Sequence, residues 1–386
     1  MDFADTPEMG AIRSEIREAL ASVLPPGWQG SGFLPMDVRP EHMDLARELD
    51  AALAERRLLA PAWPEEYGGR GLTPFEQFTL YEELGYALAP RMTTISVDLV
   101  GPVLILHGSD EQRRRHLPAI AEEATVWCQG FSEPGAGSDL TSLTTRAVRR
   151  GDFYLVNGHK IWTSMAHWSQ WMILLARTGE ADSRARGLSL FLLPLDTPGV
   201  EVRPLYDASG EHMLNEVFFE DVQVPVENRV GEENEGWRYA TTLLQYERGD
   251  ALFVGQFRRL LDDLRARLRD GGPWQARPLL AQSEVELEVG RQLTLRVVSL
   301  QAQGELPDRE ASQAKLFMSE ACQRLGVVAH HLTGLAANLT HRDARVPLGG
   351  RVMQYYLSSM TATLIAGTSE IQRSVIATRG LGLPRG

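Results

Sequence analysis

Cysteine is almost missing from this chain of 386 residues: Cys128 and Cys322 are the only two. Two distant thiols cannot frame a disulfide-stapled scaffold and lack the spacing of a metal knuckle, so no metal centre and a reducing, cytoplasmic setting are expected. Lysine is as scarce. Of the 39 basic residues only Lys160 and Lys315 are lysines and the rest are arginines, which reads as the codon bias of a GC-rich genome. Basic charge is also in deficit, since 51 acidic residues leave a net charge of −12. That balance opposes broad binding to nucleic acid or to an anionic membrane, and any phosphate-bearing ligand must find a few particular arginines. Long apolar runs are lacking too, none reaching the roughly 20 residues of a membrane-spanning helix. Asp2, Asp5, Glu8 and Glu15 stand where a secretion signal needs a basic start and an apolar stretch. With 43% hydrophobic and 23% charged residues the composition excludes fibrous and disordered chains, and the length predicts two or three domains.

What is present falls into three parts. Residues 1–125 read as helices separated by turns. At Thr73-Pro74-Phe75-Glu76 the threonine hydroxyl is placed to cap, proline suits the first turn and the glutamate completes a capping box. Phe75, Phe78, Leu80, Tyr81 and Leu84 then give a buried stripe. Trp63 to Gly69 is a helix-breaking turn. From 126 to 232 the pattern turns to β. Asn157-Gly158 between Phe153–Val156 and His159–Trp162 predicts a tight hairpin turn, and further strands are expected at 171–176, 188–195 and 216–224. From 233 to 386 helical periodicity returns, through 285–300 and 314–339. The order helix, sheet, helix predicts an α+β chain.

Chemistry concentrates at Gly130-Phe131-Ser132-Glu133-Pro134-Gly135-Ala136-Gly137-Ser138-Asp139. Its glycines let backbone N–H groups approach a ligand, and its serines add hydroxyls; a plain turn is the other reading, and the spacing is not that of a dinucleotide fingerprint. Trp162, Thr163 and Ser164 set a flat ring beside hydroxyls, either to stack on an aromatic cofactor or to fill a core.

Together these clusters resemble the acyl-CoA dehydrogenase family, and the resemblance runs almost from end to end. WPEEYGGRGL (63–72), GFSEPGAGSDLTS (130–142), NGHKIWTS (157–164), NEVFFEDVQVP (215–225) and GTSEIQRSVIATRGLGLP (367–384) look like five family segments in the family's order. The resemblance implies an N-terminal helical domain, a middle β-barrel or sandwich and a C-terminal four-helix bundle. It implies FAD as cofactor and oxidation of an acyl-CoA, or carrier-bound acyl, thioester to the 2,3-enoyl thioester in fatty acid or other lipid metabolism. Phe131, Ser132, Gly137 and Ser138 then line flavin or thioester, Trp162 packs on the ring with Thr163 beside it, Ser164 lies near N5, and Thr368 and Glu370 hold the cofactor's other end. Thr368 also reads as a simple helix cap.

The family's α-proton base lies most often two residues before the threonine of the C-terminal motif. Here that position is Ala366, whose side chain cannot take a proton, though its backbone N–H can serve the thioester oxygen. The less common position is Glu247, in Tyr246-Glu247-Arg248-Gly249, with Arg248 steering the anionic CoA. Burial against flavin and acyl chain would raise the Glu247 pKa toward the working pH; an ordinary Glu-Arg surface pair is the competing reading. The family's arginine, phenylalanine and glycine group is replaced near Gly271-Gly272-Pro273-Trp274, with Arg269 as a substitute. The implied partners are electron-transfer flavoprotein as acceptor and further subunits, in a homotetramer, a homodimer or a heteromer. A flavin oxidase or monooxygenase on the same fold and a non-catalytic subunit of a heteromeric complex are the alternatives.

Overall fold

The computed structural model describes residues 5–246, 251–269, 274 and 276–384. Five helices come first: α1 (Pro7–Val23), α2 (Met43–Glu55), α3 (Pro74–Tyr86), α4 (Gly101–His107) and α5 (Asp110–Ala121). Eight strands follow: β1 (Trp127–Gly130), β2 (Arg146–Arg150), β3 (Phe153–Lys160), β4 (Trp171–Arg177), β5 (Leu188–Pro194), β6 (Val200–Tyr206), β7 (His212–Pro225) and β8 (Arg229–Val230). The chain closes with α6 (Gly236–Tyr246), α7 (Ala251–Leu268), α8 (Ala276–Gln301), α9 (Asp308–Thr333), α10 (Arg351–Ala362) and α11 (Ser369–Val375). No helix among the described residues is long and apolar enough to cross a membrane. By Cα proximity the chain separates into two compact units, one of residues 1–52, 71–90 and 248–386, the other of 53–70 and 91–247.

In the first unit, α3 begins as the sequence predicts. Thr73 Oγ1 accepts from the Glu76 N–H while the Glu76 carboxylate accepts from the Thr73 N–H, a complete capping box. Phe78, Leu80 and Leu84 are buried, whereas Phe75 and Tyr81 are only partly so. Helix α3 packs against α7 with glycine on both sides. A Cβ on Gly85 would stand 2.1 Å from the Leu252 carbonyl oxygen, and one on Gly255 would stand 2.1 Å from that of Glu82. Without side chains there, the two backbones approach closely. Glu82 is buried in the same layer and receives Arg13 from α1, Arg258 from α7 and Arg291 from α8. The main core of this unit joins Phe257, Leu260, Leu261 and Leu264 of α7, Leu287 of α8, Met318, Cys322 and Leu325 of α9, and Val352 and Tyr355 of α10. Helix α9 stops at Thr333, short of the expected 339: Gly334, at φ 68° and ψ −150°, leaves helical backbone, and a 3-10 helix follows over Gly334–Asn338.

The second unit is built on one eight-stranded sheet of order β6-β7-β3-β2-β4-β5-β8, with β1 parallel to β4. Its buried face gathers Cys128, Tyr154, Val156, Met172, Leu174, Phe191, Leu193, Val217 and Val222. The Trp63–Gly69 segment is the expected turn: Gly68 is left-handed, and Trp63 lies on Gly101, where a Cβ would come within 1.7 Å of the indole. The expected hairpin turn at Asn157-Gly158 is corrected by the structure. Strand β3 runs straight through both residues, and the tight reversal between β2 and β3 lies at Gly151, left-handed at φ 66°. Asn157-Gly158 instead forms a bulge against β7, where the register shifts. The Asn157 side chain donates to Asp221 Oδ1 and accepts from the Asp221 N–H, at 3.0 and 2.9 Å. The reason is pairing: β3 has strands on both sides, and continuing it satisfies more backbone groups than turning would.

Candidate active site

Within the sheet unit, two of the clusters singled out in the sequence meet. The Ile161 N–H donates to the Ser132 carbonyl at 3.0 Å, and Lys160 Nζ donates to the Phe131 carbonyl at 2.9 Å. The glycine-rich loop is thereby tied to the end of β3, next to Trp162, Thr163 and Ser164. Phe131 is buried, Ser132 and Ser164 are half-buried, and Gly137 and Ser138 are exposed. Gly135 and Gly137 have no neighbouring atom where a Cβ would stand, so the loop presents bare backbone to an approaching group.

Trp162 settles one open alternative of the sequence reading. Its side chain is 59% exposed, so it does not fill a core. Its backbone is left-handed at φ 61°, as is Met165 at φ 60°, and bulky residues hold such angles only when their surroundings impose them. Asn215 is part of that imposition. Fully buried at the start of the long β7 strand, it gives Nδ2 to the Thr163 carbonyl at 3.0 Å, and its own carbonyl accepts the Thr163 N–H at 3.0 Å. The same amide contacts His167 Nδ1 and His212 Nε2, whose rings stack 3.9 Å apart. Burial, reinforced by the nearby His212, holds His167 down at about 4, so it is neutral at pH 7.

Beneath the loop lies a buried ion pair that motif reading passed over. Lys160 Nζ meets Glu133 Oε1 at 2.9 Å, and that carboxylate also accepts from the Thr145 N–H at 2.8 Å and from the Thr144 N–H and hydroxyl at 2.7 Å each. Burial pushes the Glu133 carboxyl up, but the Lys160 charge and these hydrogen bonds outweigh it and hold it at about 2.

Ala366, Thr368 and Glu370 belong to the helical unit. Ala366 is left-handed at φ 52° and Gly367 follows at φ 86°, forming a turn before α11. Gln372, fully buried, gives Nε2 to the carbonyls of Ala366 and Gly367 at 3.0 and 3.1 Å, and Lys315 Nζ reaches the Gly367 carbonyl at 2.9 Å. Thr368 is the N-cap of α11, its hydroxyl accepting from the Ile371 N–H. Glu370 is exposed and lines a cleft of about 350 Å³ with Glu320, Gln323, Arg324, Ser369 and Arg373. Arg269 is exposed at the end of α7. Glu247 and Arg248, proposed as base and CoA guide, and Gly271 to Pro273 lie outside the described residues.

The arrangement suits a flat ring carrying heteroatoms. An exposed indole stands beside the Thr163 hydroxyl, which is buried and has no hydrogen-bond partner among the described residues. Such an orphaned group is costly unless a ligand atom meets it.

Comparison with known proteins identifies the family of the chain. Family models described as the N-terminal, middle and C-terminal domains of acyl-CoA dehydrogenase match residues 6–124, 128–222 and 234–381. The chain belongs to the acyl-CoA dehydrogenase family. It is an oxidoreductase of that class, and a flavin is the cofactor expected of it. One similar relative is acyl-CoA dehydrogenase IpdE1 of Mycolicibacterium smegmatis, 36% identical over 98% of both chains. Among solved structures, the Tcur3481-Tcur3483 steroid ACAD is 31% identical with TM-score 0.90, each chain covered in full. The ChsE4-ChsE5 complex from Mycobacterium tuberculosis is 31% identical with TM-score 0.88 at the same coverage. The acyl-CoA dehydrogenase fold expected from the five segments is thus the fold found, with helices before and after a middle sheet.

Proposed function

We propose that this acyl-CoA dehydrogenase binds FAD and oxidises the Cα–Cβ bond of an acyl-CoA thioester, with Glu247 as the base. The observation that carries the reading is the Trp162–Thr163 corner: an exposed indole beside a partnerless hydroxyl, on a loop that Asn215 and Ser132 hold in place. FAD supplies the acceptor for the hydride that leaves Cβ. Trp162 stacks on its ring, Phe131, Ser132, Gly137, Thr163 and Ser164 line it, and Thr368 and Glu370 hold its far end. Glu247 takes the α-proton, because the alternative position, Ala366, has no group able to accept one. The Ala366 N–H and Ser138 serve the thioester, the N–H stabilising negative charge that develops on its oxygen. Arg248 guides the anionic CoA.

The acyl group is bulky and cyclic in this reading. Alanine at 366 leaves room where a glutamate would stand, and the steroid designation of a solved neighbour covering the whole chain supports the same class. That neighbour and the ChsE4-ChsE5 complex are both named as pairs of proteins, which supports a heteromer over a homotetramer here. Electron-transfer flavoprotein is the proposed acceptor and the cytoplasm the proposed location.

Replacing Glu247 with Gln is expected to leave a yellow, folded protein whose flavin is not bleached by thioester under anaerobic conditions. Full bleaching in that variant overturns the assignment of the base. Given straight-chain, branched and polycyclic acyl-CoA thioesters, the wild type is expected to favour the polycyclic one; a preference for unbranched medium chains refutes the substrate class.

A further inference from the structure

The chain meets almost every need for a basic side chain with arginine, yet it keeps lysine at 160 and 315. Both are buried, at 0% and 5% exposure. Burial alone does not explain the choice, since Arg39, Arg91, Arg177 and Arg351 are buried as well. Two of these spread their forks over several carbonyls: Arg177 reaches those of Leu143, Thr141, Glu180 and Arg184, and Arg39 those of Ser31 and Gly30, whereas Arg91 gives Nη2 to the Leu59 carbonyl. The lysines do something different. Each brings a compact ammonium to the carbonyl of a segment placed at the cofactor, Phe131 for Lys160 and Gly367 for Lys315.

Each of these carbonyls lies in a stretch of backbone pinned from several directions. At Phe131-Ser132, Lys160 holds one carbonyl and the Ile161 N–H holds the next, while Glu133 fixes Lys160 from below. At Ala366-Gly367, two consecutive left-handed residues are held by Gln372 and Lys315. A planar guanidinium, with five donors in a rigid fork, does not substitute for a point donor in either place.

We infer that Lys160 and Lys315 are positioning residues for FAD, each fixing the backbone of one cofactor-facing segment. The inference rests on the FAD reading above and adds that arginine, although it keeps the charge, cannot replace lysine at either position.

The test compares the full-length wild type with K160R, K315R, K315M and the double variant K160M/E133Q. The double variant removes the buried charge pair without leaving one charge unpaired, so it keeps the Lys160 arm testable if K160R does not fold. FAD is titrated into each deflavinated protein and its Kd read from the quenching of flavin fluorescence, alongside the thermal midpoint of the same apoprotein. The expected result is FAD binding weaker by about tenfold or more in each folded variant, with apoprotein midpoints within about 4 °C of wild type. Wild-type FAD affinity in K315R, in K315M, in a folded K160R or in K160M/E133Q overturns the inference while leaving the FAD reading intact. A wild-type chain that takes up no FAD at all overturns the reading itself.

Discussion

At the scale of single residues, the site depends on side chains that do no chemistry. Asn215 binds the Thr163 carbonyl and touches two histidines from a fully buried position. Its replacement by alanine takes a hydrogen-bond partner from the Thr163 carbonyl and from both imidazoles, a cost of about 1–3 kcal/mol. Asn215→Ala is therefore expected to lower the thermal midpoint and to weaken flavin binding together, read by calorimetry and flavin fluorescence; an unchanged midpoint refutes the clamp. The sequence shows Asn215 only as the first letter of a family segment. Its role depends on which backbone lies opposite, 52 residues earlier in the chain. Glu133 and Lys160 likewise stand in two separate family segments, 27 residues apart, and that spacing alone does not say that they touch.

At the scale of elements, two local signals met different fates. The capping box at Thr73 and Glu76 formed as expected because its partners are three residues apart and need nothing else. Asn157-Gly158 did not turn, because a strand with neighbours on both sides outweighs a favourable turn dipeptide. The glycine there still has a strict role: a Cβ at 158 would come within 2.7 Å of the Thr145 Cα. Gly158→Ala is expected to destabilise the sheet by about 1–3 kcal/mol, measured by denaturant unfolding. A second prediction concerns the helix layer. Glu82 draws together arginines from α1, α7 and α8, and although Arg13 keeps Asp5 and Glu83, Glu82→Ala takes from Arg258 and Arg291 the buried carboxylate they share. A loss of about 3–5 kcal/mol is expected, and a change under 1 kcal/mol would show that the layer stands on its apolar contacts.

At the scale of the whole molecule, the pH response follows from groups far apart in the fold. His116, buried between Trp127 and Trp171, and His167 are each held at about 4 against an ordinary 6.5, first by burial. Between those values the unfolded chain binds more protons than the folded one, so stability falls as pH drops from 6.5 toward 4. Glu133, held at about 2 against 4.5, adds a loss of the same sign as pH drops through 4.5 and below. The net charge of −12 acts the other way, since self-repulsion eases as carboxylates take up protons. Comparing His116→Gln with wild type isolates the histidine part: the variant is expected to lose less of its thermal midpoint between pH 6.5 and 4. Equal slopes for the two proteins would refute the assignment.

The sequence by itself determined what short-range chemistry can specify: where helices start, the switch to β periodicity near 126, the acidic balance, and five family segments in order that carry the fold and the enzyme class. Tertiary structure decided everything that needs two distant stretches at once. It made Asn157-Gly158 a bulge, left Trp162 exposed beside an unpartnered Thr163 hydroxyl, and gave the two rare lysines their carbonyls, 29 and 52 residues away. The physical reason is that a buried ammonium or amide must take its partners from whatever backbone the packing brings within about 3 Å. Local composition does not encode that choice. The scarcity of lysine, read first as a trait of the genome, therefore acquired a structural meaning only once the fold showed where the two lysines point.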